Sequence, residues 1–193
     1  GSIGEPYRIR ASSDGARVYV SNSTGDIHRI STANDTKTTI SPGGVINGLG
    51  LNEASGVLYA STYGGQLHEI SLATFTVTRI VNLGGQLQGI AVSANGATLY
   101  VASESSGVHV VDASTLAVSS TLPLGGAFDV ALTRDGVELY VSRSQASVTD
   151  VVNVQSLSVV RSIPGGTPRR MAFSADGLTL VIANEAGWLT FVR

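Results

Sequence analysis

The sequence predicts an all-β fold, a β-propeller built from four-stranded antiparallel blades, and three observations lead to that prediction. Apolar and β-branched residues occur in short runs bounded by Gly, Asn, Asp and Ser, which is typical of strands, and no segment keeps a helical period. One strand-like phrase returns at spacings of 40 and 41 residues. Glycine pairs recur at the same period. A repeat of about 40 residues that contains four strands is the signature of a propeller blade.

Two independent markers define the repeat. The phrase occurs as RVYVSN (17–22), VLYAST (57–62), TLYVAS (98–103), ELYVSR (138–143) and TLVIAN (179–184), and the glycine pairs are at 43–44, 84–85, 125–126 and 165–166. We therefore interpret residues 3–193 as a single propeller domain of about five repeats: 8–47, 48–88, 89–128, 129–169 and an incomplete 170–193. We interpret Gly1-Ser2 as a cloning remnant.

The third repeat illustrates the order of elements within a blade. Its predicted strands are 89–93, 98–103, 107–112 and 117–123, and Asn95-Gly96 joins the first two. Glycine after Asn or Asp is what a tight hairpin requires, because such a turn needs a positive φ. The equivalent pairs are Asp14-Gly15, Asp135-Gly136 and Asp176-Gly177. We expect these turns at one face of the propeller and the glycine pairs at the other.

The fifth repeat stops after three predicted strands, so the way in which the ring closes is left open. A five-bladed ring with one three-stranded blade is the expected arrangement. A fragment of a larger propeller, or closure by a second chain, is the alternative. An unpaired edge on the last blade favours dimerisation, because its free backbone groups offer a template for another strand.

Composition and charge exclude several classes of partner. Charged residues make up 13% of the chain, against about 25% in an ordinary soluble domain, and the net charge is -2. Such a chain has no general attraction for nucleic acid, so we expect no nucleic-acid partner. No apolar run approaches the roughly 20 residues of a spanning helix, so we expect no membrane insertion. The absence of cysteine excludes disulfides and thiolate metal sites.

The three histidines suggest a zinc site at first sight, because His28, His68 and His109 occupy one position in consecutive repeats. They belong to third strands, however, which are about 10 Å from the innermost strand of a blade. Equivalent positions in adjacent blades are then too far apart to share one ion. We therefore predict that these residues have a packing role and bind no common metal, and Thr149 and Thr190 at the same position agree with this.

The mouth of the central channel is the candidate binding site, because the repeats differ most at the start of each inner strand. Positions free to vary on a repeated scaffold are where a site can be built. The candidate ligand-binding residues are Tyr7, Arg8, Arg10, Asn47, Gln88, Phe128, Asp129, Arg169 and Arg170. If the ring closes, the four arginines gather on one side with Asp129 nearby. Tyr63, Glu104, Arg143 and Glu185 belong to loops on the same face.

The phrases SSDGARVYVSN, SANGATLYVAS, TRDGVELYVSR and SADGLTLVIAN, with HVVDASTLAV at 109–118, resemble the YVTN-type β-propeller repeat family over essentially the whole chain. That resemblance implies an extracytoplasmic binding or interaction domain, secreted, periplasmic or on the cell surface, of bacterial or archaeal type. The family also resembles lactonase-like propellers. Members often have seven blades, whereas this chain has four complete repeats.

Two function hypotheses follow. The first is a non-catalytic module without a cofactor that binds a protein, a glycan or a small anion through the channel mouth. The second is a lactonase-like hydrolase or lyase with an axial metal, for which only Asn47, Gln88 and Asp129 are available as ligands. Several arginines at the same level would repel a cation. We therefore favour the binding module.

Overall fold

The computed structural model describes residues 3–193, so the interpretation of Gly1-Ser2 as a cloning remnant lies outside the described residues. The described chain folds into five antiparallel sheets in which consecutive strands are neighbours. The first four sheets have four strands and the fifth has three. One short 3-10 turn, Ser144–Ala146, is the sole helical element in this part of the chain.

The strands follow the predicted repeats closely. The first sheet contains β1 (Pro6–Ala11), β2 (Arg17–Asn22), β3 (Ile27–Ser31) and β4 (Lys37–Ile40), and the second contains β5 (Ile46–Asn52), β6 (Val57–Thr62), β7 (Gln66–Ser71) and β8 (Thr76–Asn82). The third contains β9 (Leu87–Val92), β10 (Thr98–Ser103), β11 (Gly107–Asp112) and β12 (Val118–Leu122). The fourth contains β13 (Ala127–Leu132), β14 (Glu138–Arg143), β15 (Val148–Asn153) and β16 (Ser158–Pro164). The fifth contains β17 (Pro168–Phe173), β18 (Leu180–Asn184) and β19 (Leu189–Val192).

Residue contacts divide the chain into two compact units, one that ends at Leu87 and one that begins at Gln88. In the first unit, a buried cluster that includes Tyr19, Leu49 and Leu58 joins the first and second sheets. In the second unit, Tyr100 and Val141 belong to a cluster shared by the third and fourth sheets. Another cluster joins the fourth and fifth sheets. Sheet packs on sheet within each unit, which explains why the strands are so poor in charge.

The turns between first and second strands have the predicted positive-φ glycine but are longer than two residues. Gly15 has a φ of 70°, and its amide donates to the Ser12 carbonyl at 3.0 Å. The hydroxyl of Ser12 donates to Asp14 Oδ1 at 2.6 Å, and that oxygen also accepts the amide of Ala16. The glycine alone has a positive φ, since Asp14 keeps a negative one. Asp14 thus acts through its side chain, which closes a four-residue loop between Ser12 and Arg17.

No helix within residues 3–193 has the length and apolar character that crossing a membrane requires.

Candidate functional site

The candidate mouth residues belong to the first strand of each sheet, at a place where the pairing with the second strand is irregular. The register shifts between Pro6 and Arg8, between Ile46 and Gly48, between Ala127 and Asp129, and between Pro168 and Met171. Such a bulge adds a residue to one strand and re-aims its side chains. The positions that vary most between repeats therefore coincide with a backbone irregularity that the scaffold repeats.

In the first unit, the candidate residues differ in exposure. Tyr7 is exposed, whereas the side chain of Arg8 is buried and Arg10 is partly buried. Arg10 Nη1 donates to the carbonyl of Ile9 at 3.0 Å. Asn47 is buried, and its Nδ2 donates to the carbonyl of Leu87 at 3.3 Å. The Asn47 amide therefore holds backbone in place.

In the second unit, Gln88 and Asp129 also have structural partners. Gln88 Nε2 donates to Glu104 Oε1 at 2.6 Å. The buried carboxylate of Asp129 accepts the backbone amide of Met171 through Oδ2 at 3.0 Å. The bond ties the first strand of the fourth sheet to that of the fifth. One oxygen of Asp129 is thus occupied by a backbone donor.

In the second unit, two arginines pack on one buried aromatic ring. The guanidinium carbons of Arg169 and Arg170 lie 4.2 and 4.5 Å from the centroid of Phe128. A guanidinium over an aromatic face is attracted by the negative face of the ring, more strongly when water is excluded. Phe128 therefore serves as a platform that holds two cations together.

Arg169 has one further partner and one unsatisfied donor. Its Nη2 pairs with Glu185 Oε1 at 2.5 Å, and the Glu185 side chain is about half exposed. The Arg169 Nε is buried and has no hydrogen-bond partner among the described residues. A buried donor of this kind costs free energy until it finds an acceptor. Arg169 is thus held by stacking on Phe128 and by the exposed carboxylate of Glu185, and its Nε has no acceptor among the described residues.

Sequence reasoning missed Ser142, which positions this pair. The buried hydroxyl of Ser142 donates to the carbonyl of Arg169 at 2.7 Å and accepts the amide of Asp129 at 3.0 Å. Ser21 makes a similar bond in the first unit, to the carbonyl of Ile46 at 3.3 Å, one residue earlier in the repeat. The signal was present in the sequence, because serine recurs at this place in several second strands.

The structure brings Phe128, Asp129, Arg169 and Arg170 together within the second unit. Tyr7, Arg8, Arg10 and Asn47 belong to the first unit. The predicted gathering of Arg8 and Arg10 with Arg169 and Arg170 stays a prediction. Arg143 lies on the same face by sequence, but its Nη1 already pairs with Asp150 Oδ2 at 2.8 Å.

The histidines share one third-strand position, opposite Val20, Ala60 and Val101 of the second strands. Thr190 holds that position in the fifth sheet, as expected, but the expectation for Thr149 was wrong, because Asp150 pairs with Val141 in the fourth sheet. Burial lowers the pKa of His68 and of His109, which favours the neutral imidazole. His109 Nδ1 lies 3.0 Å from the hydroxyl of Thr121. Within residues 3–193, no group of three or more His, Cys, Asp or Glu is arranged to hold a metal ion.

The family match covers residues 26–179 and is to the family described as Domain of unknown function (DUF5074). The chain belongs to this family. No curated protein sequence matches it. Membership therefore adds no function by itself.

Two solved structures are similar in fold. Hydrazine synthase of Kuenenia stuttgartiensis matches with a TM-score of 0.82 and 17% identity, over 92% of this chain and 55% of that one. The beta-propeller domain of Cps50 (Swd1) from Myceliophteria thermophila matches with a TM-score of 0.82 and 13% identity, over 95% of this chain and 64% of that one. These likenesses confirm the predicted all-β propeller fold. The chain spans less than two thirds of either structure.

Proposed function

We propose that this propeller is a non-catalytic binding module that recognises an anionic group, such as a carboxylate or a sulfate, at the channel-mouth residues of the second unit. The observation that supports the proposal is the stacked pair Arg169 and Arg170 on Phe128, with Arg169 Nε buried and unsatisfied. Planar guanidinium groups are suited to carboxylate and sulfate because they offer several donors in a fixed geometry.

Because Arg169 pairs with Glu185, the proposal can be tested with two variants that should change the anion affinity in opposite directions. An exposed ion pair is worth only about 0.2–1 kcal/mol, so an incoming anion can replace Glu185 as the partner of Arg169. We expect Arg169→Gln to weaken anion binding about tenfold or more, because a charge-assisted hydrogen bond is lost. We expect Glu185→Gln to tighten it about two- to fivefold, because the competitor is removed.

The experiment is calorimetric titration of the protein with sodium sulfate and with glucuronate at low ionic strength. Arg161→Gln is the matched control, because Arg161 also stacks on an aromatic ring, that of Tyr140, but lies on the outer strand β16. It should leave anion binding unchanged. If neither anion binds the parent protein, or if Glu185→Gln weakens binding as Arg169→Gln does, the arginine cluster is structural and the proposal fails.

The lactonase-like alternative is less well supported. Asn47 and Gln88 donate their amide groups to protein partners, and Asp129 accepts a backbone amide. An axial metal would have to share or replace these bonds, close to two guanidinium groups. Stoichiometric calcium or zinc in the purified protein would favour the enzyme instead.

From the repeated sequence motifs, we also propose that the repeats are of the YVTN type and that the native protein works outside the cytoplasm. Cell fractionation of the source organism, with an antibody against this domain, tests the location. Recovery of the protein in the cytosol alone would contradict it.

The exposed edge of the fifth sheet supports a dimer as a further proposal. Leu189 and Phe191 of β19 are 55% and 62% exposed, although both are large apolar residues. Edge-to-edge pairing with a second copy would cover them and use the free backbone groups of β19. Sedimentation velocity should show a dimer that the double variant Leu189→Lys with Phe191→Lys disrupts. A monomer at all concentrations would rule this arrangement out.

A further inference from the structure

A cavity of about 230 Å³ lies between the fourth and fifth sheets, within the second unit. Its origin is visible in the repeat. Thr190 pairs with Ile182 and so holds in the fifth sheet the position of His28, His68 and His109 in the first three sheets, and it lines the cavity together with Thr149. Threonine is much smaller than histidine, so the substitution leaves space that an imidazole would otherwise fill.

The polar groups of the cavity are placed for a ligand. Thr149 is only 2% exposed, and its side chain lines the cavity. The Thr190 hydroxyl and the Asn184 side chain line the same space, 3.1 Å from each other at Nδ2 and Oγ1.

One wall of the cavity is a tryptophan that the scaffold does not require. Trp188 is half exposed, and the equivalent residues in the other sheets are Asp26, Gln66, Gly107 and Val148. A flat, half-exposed indole beside hydroxyl groups offers one apolar face and polar partners at its edge.

The opposite boundary is kept open by glycine. Gly166 has a φ of 68°, and a Cβ there would overlap with Asn184 Oδ1 and approach the Trp188 ring to 3.2 Å. Any side chain at this position would therefore intrude between Asn184 and Trp188. Pro164 and Ile163 complete an uncharged lining, and none of the described residues around the cavity is ionisable.

We infer that this cavity, defined by Thr149, Asn184, Trp188 and Thr190, is a binding site for a single neutral sugar ring. A pyranose has an apolar face of C–H groups that can stack on Trp188 and hydroxyl groups that can bond to Thr149 and Asn184. The lining carries no charge to attract an ion. The volume is below the range of drug-sized pockets, about 300–1,000 Å³, which is consistent with one ring. The site is separate from the arginine pair on Phe128 and does not depend on it.

The sequence offers a direct experiment, because Trp188 is the only tryptophan in the chain. The intrinsic fluorescence of the protein therefore reports on this cavity alone. The probes are the methyl pyranosides of glucose, galactose, mannose and N-acetylglucosamine. At least one should give a saturable change in emission with half-saturation in the millimolar range, as expected for a ligand of so few atoms.

Thr190→His is the decisive variant, since it fills the cavity with a side chain that the first three sheets accept at this position. It should abolish the sugar response while the melting temperature stays within a few degrees. Trp188→Val, which reproduces Val148 of the fourth sheet, should weaken binding about tenfold when followed by calorimetry. Arg169→Gln should leave the sugar response intact, which separates this inference from the anion site.

The inference is overturned if no pyranoside gives a saturable response, or if Thr190→His binds sugar as the parent does. It is also overturned if tetraproline saturates the emission change and the sugars do not, because the cavity would then recognise a peptide.

Discussion

Leu67 and Leu189 occupy the same position of the repeat but have opposite environments. Leu67 is the second residue of β7, in a four-stranded sheet, and is fully buried. Leu189 is the first residue of β19, in the three-stranded sheet, and is 55% exposed. The same contrast holds between Val110, which is 8% exposed, and Phe191, which is 62% exposed. The repeat thus determines that a strand forms, but the burial of its side chains depends on whether a neighbouring sheet covers them.

The largest effect we predict comes from truncating these two leucines. Leu67→Ala should destabilise the protein by about 2–5 kcal/mol, because it leaves a cavity in a packed interior. Leu189→Ala should change the free energy of unfolding by less than about 0.5 kcal/mol, as is usual for exposed positions. Urea denaturation at a concentration where the chain is monomeric measures both. An equal cost at the two positions would mean that Leu189 is covered in solution.

The turn between third and fourth strands gives a second comparison, since Asp35 and Phe75 both have a φ of 55°. Asp35 is exposed, so Asp35→Gly should stabilise the protein by less than about 1 kcal/mol, because relief of the left-handed backbone, about 1–2 kcal/mol, is partly offset by the greater freedom of glycine in the unfolded chain. Phe75 is buried against Tyr19 and Arg29, so Phe75→Gly should destabilise it despite the same relief. The change in melting temperature on thermal unfolding shows whether each variant is stabilised or destabilised. Stabilisation by both changes would contradict the burial argument.

A pH titration of stability sharpens the comparison between histidine and threonine in third strands. Because burial lowers the pKa of His68, the unfolded chain takes up a proton more readily than the folded one below about pH 6.5. The melting temperature should therefore fall as the pH drops from about 6.5 to 5. His68→Thr, which copies Thr190, should reduce that dependence. If the melting temperature of this variant depends on pH as strongly as that of the parent, another group causes the dependence.

The smallest effect we predict concerns Asp112, in a turn where the fourth sheet has Asn153. Hydrogen bonds from Ser114 and Thr115 lower the pKa of Asp112 to about 2. The stability from this carboxylate is present above the unfolded pKa, about 3.9, and is lost as the pH falls through about 2. Asp112→Asn should flatten the acid limb of the stability curve in this range. Asn153 Oδ1 accepts the Ser156 amide at 2.9 Å, which indicates that the amide fits. A steeper acid limb in Asp112→Asn would contradict this interpretation.

The candidate site was only partly predictable. Its positions were found from variation between repeats, because a scaffold position recurs and a site position is free to differ. The bulges between Ala127 and Asp129 and between Pro168 and Met171 carry no recurring residue type from which they could be predicted. The stacking of Arg169 on Phe128, about 40 residues away, depends on how two sheets pack. Both required the tertiary structure.

The sequence by itself determined the strands, their order and their turns, because these depend on residues within one repeat: apolar alternation, Asp or Asn before glycine, and a period of 40 or 41. It also determined that the histidines share one third-strand position. Only the tertiary structure decided what those positions do. Thr190 lines a cavity, and Leu189 meets solvent, because side-chain environment is a property of neighbouring sheets and not of the strand that carries the residue.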